Sequence, residues 1–504
     1  MVTLKWWNKY GIAIGLIVAV AAALRAYHLG EQSLWIDELA EGTAAQTPFP
    51  QFFAEVRWGL GAAPLDYLGV KLFTTFFGHD TIATRSWAFA MGCLAVFLIY
   101  VLGARLYNDR MVGLIAAAML AVSAFHIYYS EEARFYSLQV VVAILSLYAF
   151  LRALDSGAAK DWLLYGVASA VTLYTHYFLA MLLPIEGLYV AGKYLLLVRR
   201  DQPANAVRRG LTQVGMCLAA QVGAVLIFVP WLAFALQNQL SFSGYGLLPA
   251  LGLAKIHQIF VVLIGLAPLN SSPPAGIGQL VRTDLVVGLA ALGLVWALTS
   301  RRFRVLLFAA ILVVAVPVAW RLDQAGDYFW SERQVIFLLA PLYVLAAIGV
   351  RHLLAAAVRF AYGNRSSGRV DAWVPRLALA LVPVWLILYW GPIQLVYQDR
   401  WEPKEDWRGV TAFIDRAGCP DTQYWSFVDA HLSYGFGYYD RSLLPRSHFL
   451  NRLHDGSFDP SSLGAHDWIV IGSTDPAAAA LRSLGWQATQ FPGLTVYHHQ
   501  TCGN

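Results

Sequence analysis

The chain has 504 residues, of which 58% are hydrophobic and only 13% charged. That charged share is about half that of an ordinary soluble domain, which excludes a purely soluble fold and indicates a polytopic membrane protein with room for one further domain. The net charge of +5 sits in short loops between apolar runs, so it reads as membrane topology and excludes a nucleic-acid partner.

Spanning helices need roughly 20 apolar residues. Runs of that kind predict eleven spans, at about 11–28, 81–104, 111–128, 135–153, 161–177, 178–198, 211–235, 280–300, 304–320, 334–354 and 375–396. Met1 to Gly11 is weakly basic and the run after it is long enough to stay in the membrane, so no cleaved leader is expected. Every second loop is basic: Lys5 and Lys9, Arg105 and Arg110, Arg152 and Lys160, Arg199 to Arg209, Arg301 to Arg304, and Arg351 to Arg376. These loops are expected in the cytoplasm with the N-terminus, and the intervening loops and the C-terminus outside, in an inner (plasma) membrane.

Two outer loops are long. Within 29–80, Ile36 to Thr47 and Gln51 to Trp58 predict short amphipathic helices on the membrane face. Within 236–280, the apolar run Ile256 to Leu269 is short for a span and reads as re-entrant or interfacial. The composition becomes that of a soluble domain from Tyr397 on. The expected division is therefore a membrane domain, 1–396, carrying the outer loop, and an extracytoplasmic α/β domain, 397–504. In the latter, Asp406 to Arg416 and Asp475 to Leu484 predict helices, Thr422 to Phe427 and Trp468 to Ile471 predict buried strands, and Gln487 to Phe491 with Leu494 to His498 flank a Pro-Gly turn as a hairpin. Cys419 and Cys502 lie near the two ends of this region, in what is expected to be an oxidising compartment, and are candidates for a disulfide. Cys93 and Cys217 lie in apolar runs as packing residues, and no Cys/His metal spacing occurs.

The candidate chemistry lies in the outer loops. The stretch SLWIDELAE (33–41) puts the carboxylates of Asp37 and Glu38 where the first span leaves the bilayer. Asp37 reads either as a cap suited to the helix dipole or as a general base facing a cavity. Glu38 faces about 100° away on a helix and is the weaker candidate. A second acidic stretch, YYSEEARFYSL (128–138), places Glu131, Glu132 and Arg134 among Tyr128, Tyr129, Phe135 and Tyr136. It reads either as a solvated turn or as a site for an amphipathic ligand whose phosphate Arg134 grips. Acidic groups from the two loops, on one side of the membrane, would form the catalytic site. Arg333 opens an apolar helix, where the dipole disfavours a cation and calls for a nearby anion, either Glu332 or a ligand phosphate. His176 and Tyr177 sit at an outer helix end. Glu186 lies inside an apolar run, where a carboxylate faces a cavity or a partner.

These residues, taken in order, resemble the polyprenyl-phosphate-sugar-dependent glycosyltransferases of the GT-C superfamily. The closer resemblance is to the bacterial family 39-like branch related to protein O-mannosyltransferases and to the aminoarabinose transferases that modify lipid A. It is carried by SLWIDELAE, by Ala62-Ala63-Pro64-Leu65 leading to Arg85, by HIYYSEEARFYSL (126–138), LYTHYF (173–178), Glu332-Arg333 with Pro341 downstream, and KEDWRG (404–409). The chain departs from the family where His-Pro-Pro is replaced by Ala62-Ala63-Pro64, and where Glu131 and Gln334 stand for Gln and Tyr.

The resemblance implies a GT-C fold with interfacial helices in the first outer loop and an outer C-terminal domain. It implies Asp37 as catalytic base, Glu132 and Arg134 lining the site, Arg333 on the donor phosphate, and His176 and Tyr177 in the cavity with Glu131 and Tyr136. The donor would be a polyprenyl-phosphate-linked sugar and the acceptor a lipid, glycan or protein hydroxyl. No cofactor is required; a divalent cation between Asp37 and Glu132, if present, would be Mg²⁺ or Mn²⁺. The rival readings are a lipid-linked glycan flippase, with polar residues through the depth of the bundle, a non-catalytic envelope-assembly scaffold, and a ligase with a lipid-pyrophosphate donor.

Overall fold

The computed structural model describes residues 9–58, 64–199, 203–239, 255–265, 277–326, 332–362, 367–398, 404–427, 429–450, 463–464, 466–499 and 501–502. Lys5, Ala62, Ala63, Arg200, Arg365 and the stretch 266–276 lie outside them. In chain order the helices are α1 (Lys9–Ala26), α2 (Ile36–Gln46), α3 (Gln51–Trp58), α4 (Pro64–Phe77), α5 (Thr81–Tyr107), α6 (Arg110–Ala121), α7 (Ala124–Tyr128), α8 (Tyr136–Ser156) and α9 (Ala159–Leu173). Then come α10 (Leu182–Arg199), α11 (Ala204–Gln239), α12 (Lys255–Gly265), α13 (Ile277–Thr299), α14 (Val305–Gly326), α15 (Leu339–Tyr362) and α16 (Ser367–Tyr397). Beyond them α17 (Trp407–Ala417), α18 (Asp429–Tyr439) and α19 (Ala477–Ser483) are interleaved with β1 (Tyr424–Ser426), β2 (Ser447–Phe449), β3 (Trp468–Gly472), β4 (Gln487–Phe491) and β5 (Leu494–His498).

Among the described residues six helical segments are long and apolar enough to cross a membrane: Thr81–Tyr107, Tyr136–Ser156, Tyr177–Leu196, Ala204–Ala235, Ile277–Thr299 and Glu332–Tyr362. Shorter apolar helices occupy Tyr10–Ala26, Arg110–Ala121, Val305–Val318 and Val382–Tyr397. The protein is a multi-pass membrane protein. The span expected at 111–128 is broken in two, because the last carbonyls of α6 turn onto the side chain of Arg25 and α7 restarts after Ser123. The span expected at 161–177 stops as helix at Leu173, and Tyr177–Met181 is a 3₁₀ turn. α4 was not expected within the first outer loop, although the helices on either side of Pro48 were.

The chain forms two compact units. The first comprises 1–27, 60–66 and 88–397. Its most buried spans are α8 and the Glu332–Tyr362 segment. α13 and α15 pack backbone to backbone there, because a Cβ on Gly293 would strike the Leu345 carbonyl and one on Gly349 the Leu289 carbonyl.

The second unit comprises 28–59, 67–87 and 398–504. The outer loop, assigned from sequence to the membrane domain, thus belongs in large part with the C-terminal region. The reason is apolar burial: Leu34 and Leu39 share one core with Trp407, Val410, Tyr424, Phe436, Trp468 and Val496. The five-stranded sheet runs in the order β2-β1-β3-β5-β4. β1 is parallel to β2 and β3, while β5 is antiparallel to β3 and β4. Alternation along β3 sends Trp468 and Val470 to that core and Ile469 and Ile471 to a second one beneath α19. Cys419 and Cys502 are joined by a disulfide.

Candidate active site

In the second unit, α2 brings Asp37 and Glu38 into its first turn. Their surroundings differ sharply. Glu38 is fully buried, and both its oxygens accept from Arg85, Nε to Oε1 and Nη2 to Oε2, at 2.7 Å each. Lys404 Nζ adds a third donor to Oε2 at 3.2 Å. Arg85 donates onward to the carbonyls of Leu29, Gln32 and Ser33, so one guanidinium fixes the strand of chain leading into α2. A carboxylate gripped by three charged donors is a poor proton acceptor and a strong anchor. Asp37, one residue earlier, is only half-buried.

The KEDWRG stretch completes this anchorage. Arg408 donates from its backbone to Ser33 Oγ at 3.2 Å and from its guanidinium to the carbonyls of Gly30, Glu31 and Gln32. The Leu34 N–H donates to Tyr439 Oη at 2.9 Å. Gly42 lets Tyr438 lie against α2, since a Cβ there would sit 2.7 Å from its ring. The Tyr438 hydroxyl donates to the His79 carbonyl, and burial raises its pKa above the usual phenol range. Two motifs far apart in sequence therefore form one rigid mount for Asp37.

In the first unit, Glu131, Glu132 and Arg134 lie on the turn between α7 and α8 and all three are buried. That burial removes the reading of a solvated turn, since charged groups leave water only where partners or ligands compensate them. Arg134 lies over the Phe135 ring at 5.2 Å, and Phe135 stacks on His176 at 4.3 Å. Arg333 lies over the Tyr136 ring at 5.6 Å. The His176 Nδ1 accepts the Phe178 N–H at 3.2 Å, which leaves any ring proton on Nε2. Tyr177 follows, its ring 6.2 Å from that of His176. Gln139 Nε2 donates to the Gln334 carbonyl at 2.7 Å and ties the Arg333 segment to α8. This unit thus brings together Arg134, Tyr136, His176, Tyr177 and Arg333.

Sequence reasoning missed what holds the turn. Arg25 is fully buried near the end of α1. Its five N–H groups reach Ser130 Oγ, His126 Nδ1 and the carbonyls of Ala21, Leu120 and Ala121. Ser137 Oγ donates to Ser130 Oγ at 3.1 Å and continues the network into α8. The available signal was an arginine inside an apolar run, which is rare without a partner. Glu186 pairs within the bundle, accepting from Tyr165 Oη at 2.5 Å. Among the described residues, the group with metal-ligating atoms close together is Cys419, His466 and Cys502, and its two sulfurs are joined in the disulfide.

The fold matches solved structures along nearly its whole length. ArnT from Cupriavidus metallidurans in the apo state superposes with a TM-score of 0.59 at 13% identity, covering 96% of this chain and 97% of that one. The same protein bound to undecaprenyl phosphate gives 0.58 at 14% identity, over 97% and 98%. The chain has a GT-C fold. Within that GT-C frame, the profile of the dolichyl-phosphate-mannose-protein mannosyltransferase family matches residues 62–234. An undecaprenyl phosphate-alpha-4-amino-4-deoxy-L-arabinose arabinosyl transferase of Pseudomonas aeruginosa strain UCBPP-PA14 is 26% identical over 242 residues, 45% of this chain and 39% of that protein. Its counterpart in strain PAO1 is 29% identical over 169 residues, 33% and 29% of the two chains. The chain thus matches about two fifths at most of the length of these Pseudomonas relatives in sequence.

Proposed function

We propose that the protein is an integral-membrane glycosyltransferase that moves a sugar from a polyprenyl-phosphate carrier to a hydroxyl of an envelope acceptor. The observation that carries this reading is the fold match over 97% of the chain to ArnT from Cupriavidus metallidurans, solved bound to undecaprenyl phosphate. Asp37 is the base. It takes the proton of the acceptor hydroxyl as the oxygen attacks the anomeric carbon from the face opposite the phosphate. The bond from that carbon to the phosphate oxygen breaks, the configuration inverts, and polyprenyl phosphate leaves as an anion. Arg134 and Arg333 stabilise the charge that develops on it. Glu38 holds the first turn of α2 through Arg85 and Lys404 and acts as a positioning residue. Glu131, Glu132, Tyr136, His176 and Tyr177 shape the sugar end of the donor pocket. The charge is met by arginine, so Mg²⁺ or Mn²⁺ is not required. In this reading the alternating basic loops put the N-terminus in the cytoplasm and the C-terminal region outside it.

The test is turnover of a panel of radiolabelled polyprenyl-phosphate sugars in membranes, with envelope extract as acceptor. Wild type releases polyprenyl phosphate and transfers label. Asp37→Asn, inserted and folded to the same level, loses at least about a hundredfold, the usual scale for a general base. Equal transfer by both proteins removes Asp37 from the chemistry.

A further inference from the structure

The basic loops expected in the cytoplasm do more than follow the positive-inside rule. The end of α5, the start of α6, the second half of α8 and the turn between α13 and α14 border one half-open cavity of about 950 Å³. Arg105, Arg110, Arg301, Arg302 and Arg304 line it, with only Asp109 and Asp155 against them, so five positive charges face two negative ones. Both aspartates are already committed. Asp155 is shared by Arg105 at 2.9 Å and Arg304 at 2.6 Å. Asp109 caps α6 through the Met111 N–H and pairs with Arg351 at 2.9 Å. Arg301 and Arg302 have no carboxylate partner among the described residues. Aromatic faces hold the cations in place: Arg302 lies 4.1 Å over the Tyr107 ring and Arg105 5.0 Å over the Tyr148 ring.

The backbone adds an independent observation. Among the described residues the non-glycine positions with positive φ are Asn108 at 53° and Arg301 at 58°, and both line this cavity. Asn108 is a residue type that tolerates this conformation; Arg301 is not. Beyond α13 the Arg302 N–H donates back to the Ala297 carbonyl at 2.8 Å and the Arg301 N–H to Leu298 at 2.9 Å. That pattern ends a helix on a left-handed residue, a position that favours glycine. Topology alone needs a positive charge in the loop, which Arg302 and Arg304 already supply without strain. A long cationic side chain kept at the strained position points to a use for its head group.

We propose that this cavity binds a phosphate group at the cytoplasmic face, with Arg301 and Arg302 as its main donors and Arg105 beside them. Planar guanidinium groups match phosphate oxygens, and basic pockets between membrane helices take anionic head groups. Its placement at the cytoplasmic face rests on the topology of the reading above. Arg110 opens α6, which alone rises roughly 18 Å over its length, and none of Glu131, Arg134, His176 and Arg333 lines this pocket, so it is distinct from the Arg134 cluster. The same chemistry is offered by an acidic phospholipid or by a water-soluble phosphate.

The test uses full-length protein in phosphatidylcholine nanodiscs. One arm adds cardiolipin and reads retained lipid by native mass spectrometry; the other titrates inorganic pyrophosphate; both record the melting temperature. Arg301→Gly relieves the left-handed strain, so its melting temperature without ligand is equal to or above that of wild type, while ligand retention falls about tenfold. Arg301→Gln keeps the strain, removes the charge and binds as weakly. Arg209→Gln, an exposed charge of another basic loop outside this cavity, binds as wild type does. A response to cardiolipin alone supports a lipid head group, and one to pyrophosphate alone supports a soluble phosphate. No response of wild type to either probe, or equal responses of wild type and both Arg301 variants, overturns the proposal and leaves these arginines as topology determinants. Discs expose both faces and the readouts involve no sugar transfer, so the result stands whatever becomes of the transferase reading.

Discussion

Asp37 and Glu38 are neighbours of the same chemical type, yet their environments assign them opposite work. Glu38 is buried between Arg85 and Lys404. Glu38→Gln leaves two buried cations facing a neutral amide, and we expect a loss of about 3–5 kcal/mol in the stability of its unit, read by thermal unfolding in detergent. Transfer should fall mainly in kcat, with little change in KM, because the mount of Asp37 loosens while donor contacts stay. Asp37→Asn should unfold within about 0.5 kcal/mol of wild type, as an isosteric substitution at a half-buried position. Of these residues the sequence made the acidic pairs and Arg134 visible, since charges beside apolar runs stand out. It did not reveal Arg25, Lys404 or Arg408 as the groups that fix them, because a cation's value there depends on which carbonyls and carboxylates the fold brings to it.

At the scale of elements, hydropathy placed the helices because burial in lipid is a local requirement on about 20 successive residues. It missed the break between α6 and α7, which depends on Arg25 of a different helix capping Leu120 and Ala121. It also passed over α4. The contact of α13 with α15 is likewise invisible in either helix alone. Gly349→Leu drives a side chain into the Leu289 carbonyl and should cost at least about 1–3 kcal/mol, read as a lower melting temperature. Gly391→Leu is the control: a Cβ there meets nothing within 4 Å, and we expect no loss.

At the scale of the molecule, the small sheet is stabilised by two apolar cores and by the Cys419–Cys502 disulfide, whose residues are 83 apart. Cys502→Ser should cost about 2–4 kcal/mol by releasing a long loop in the unfolded state. Limited proteolysis of membranes would show this as earlier cleavage within 398–504, with the spans unaffected. A cleavage pattern identical to wild type would make the disulfide dispensable.

The sequence by itself determined that this is a multi-pass membrane protein, roughly where its helices run, and that its last hundred or so residues form a mixed α/β region, because hydropathy, helix caps and strand alternation act over a few neighbouring residues. Only the tertiary structure decided that the outer loop joins that region and that Glu38 is an anchor. Those outcomes rest on Arg85, 47 residues from Glu38, and on Lys404, 366 residues from it. A charge is stabilised in the interior only by partners that folding delivers, and nothing local to either end of so long a separation records the meeting.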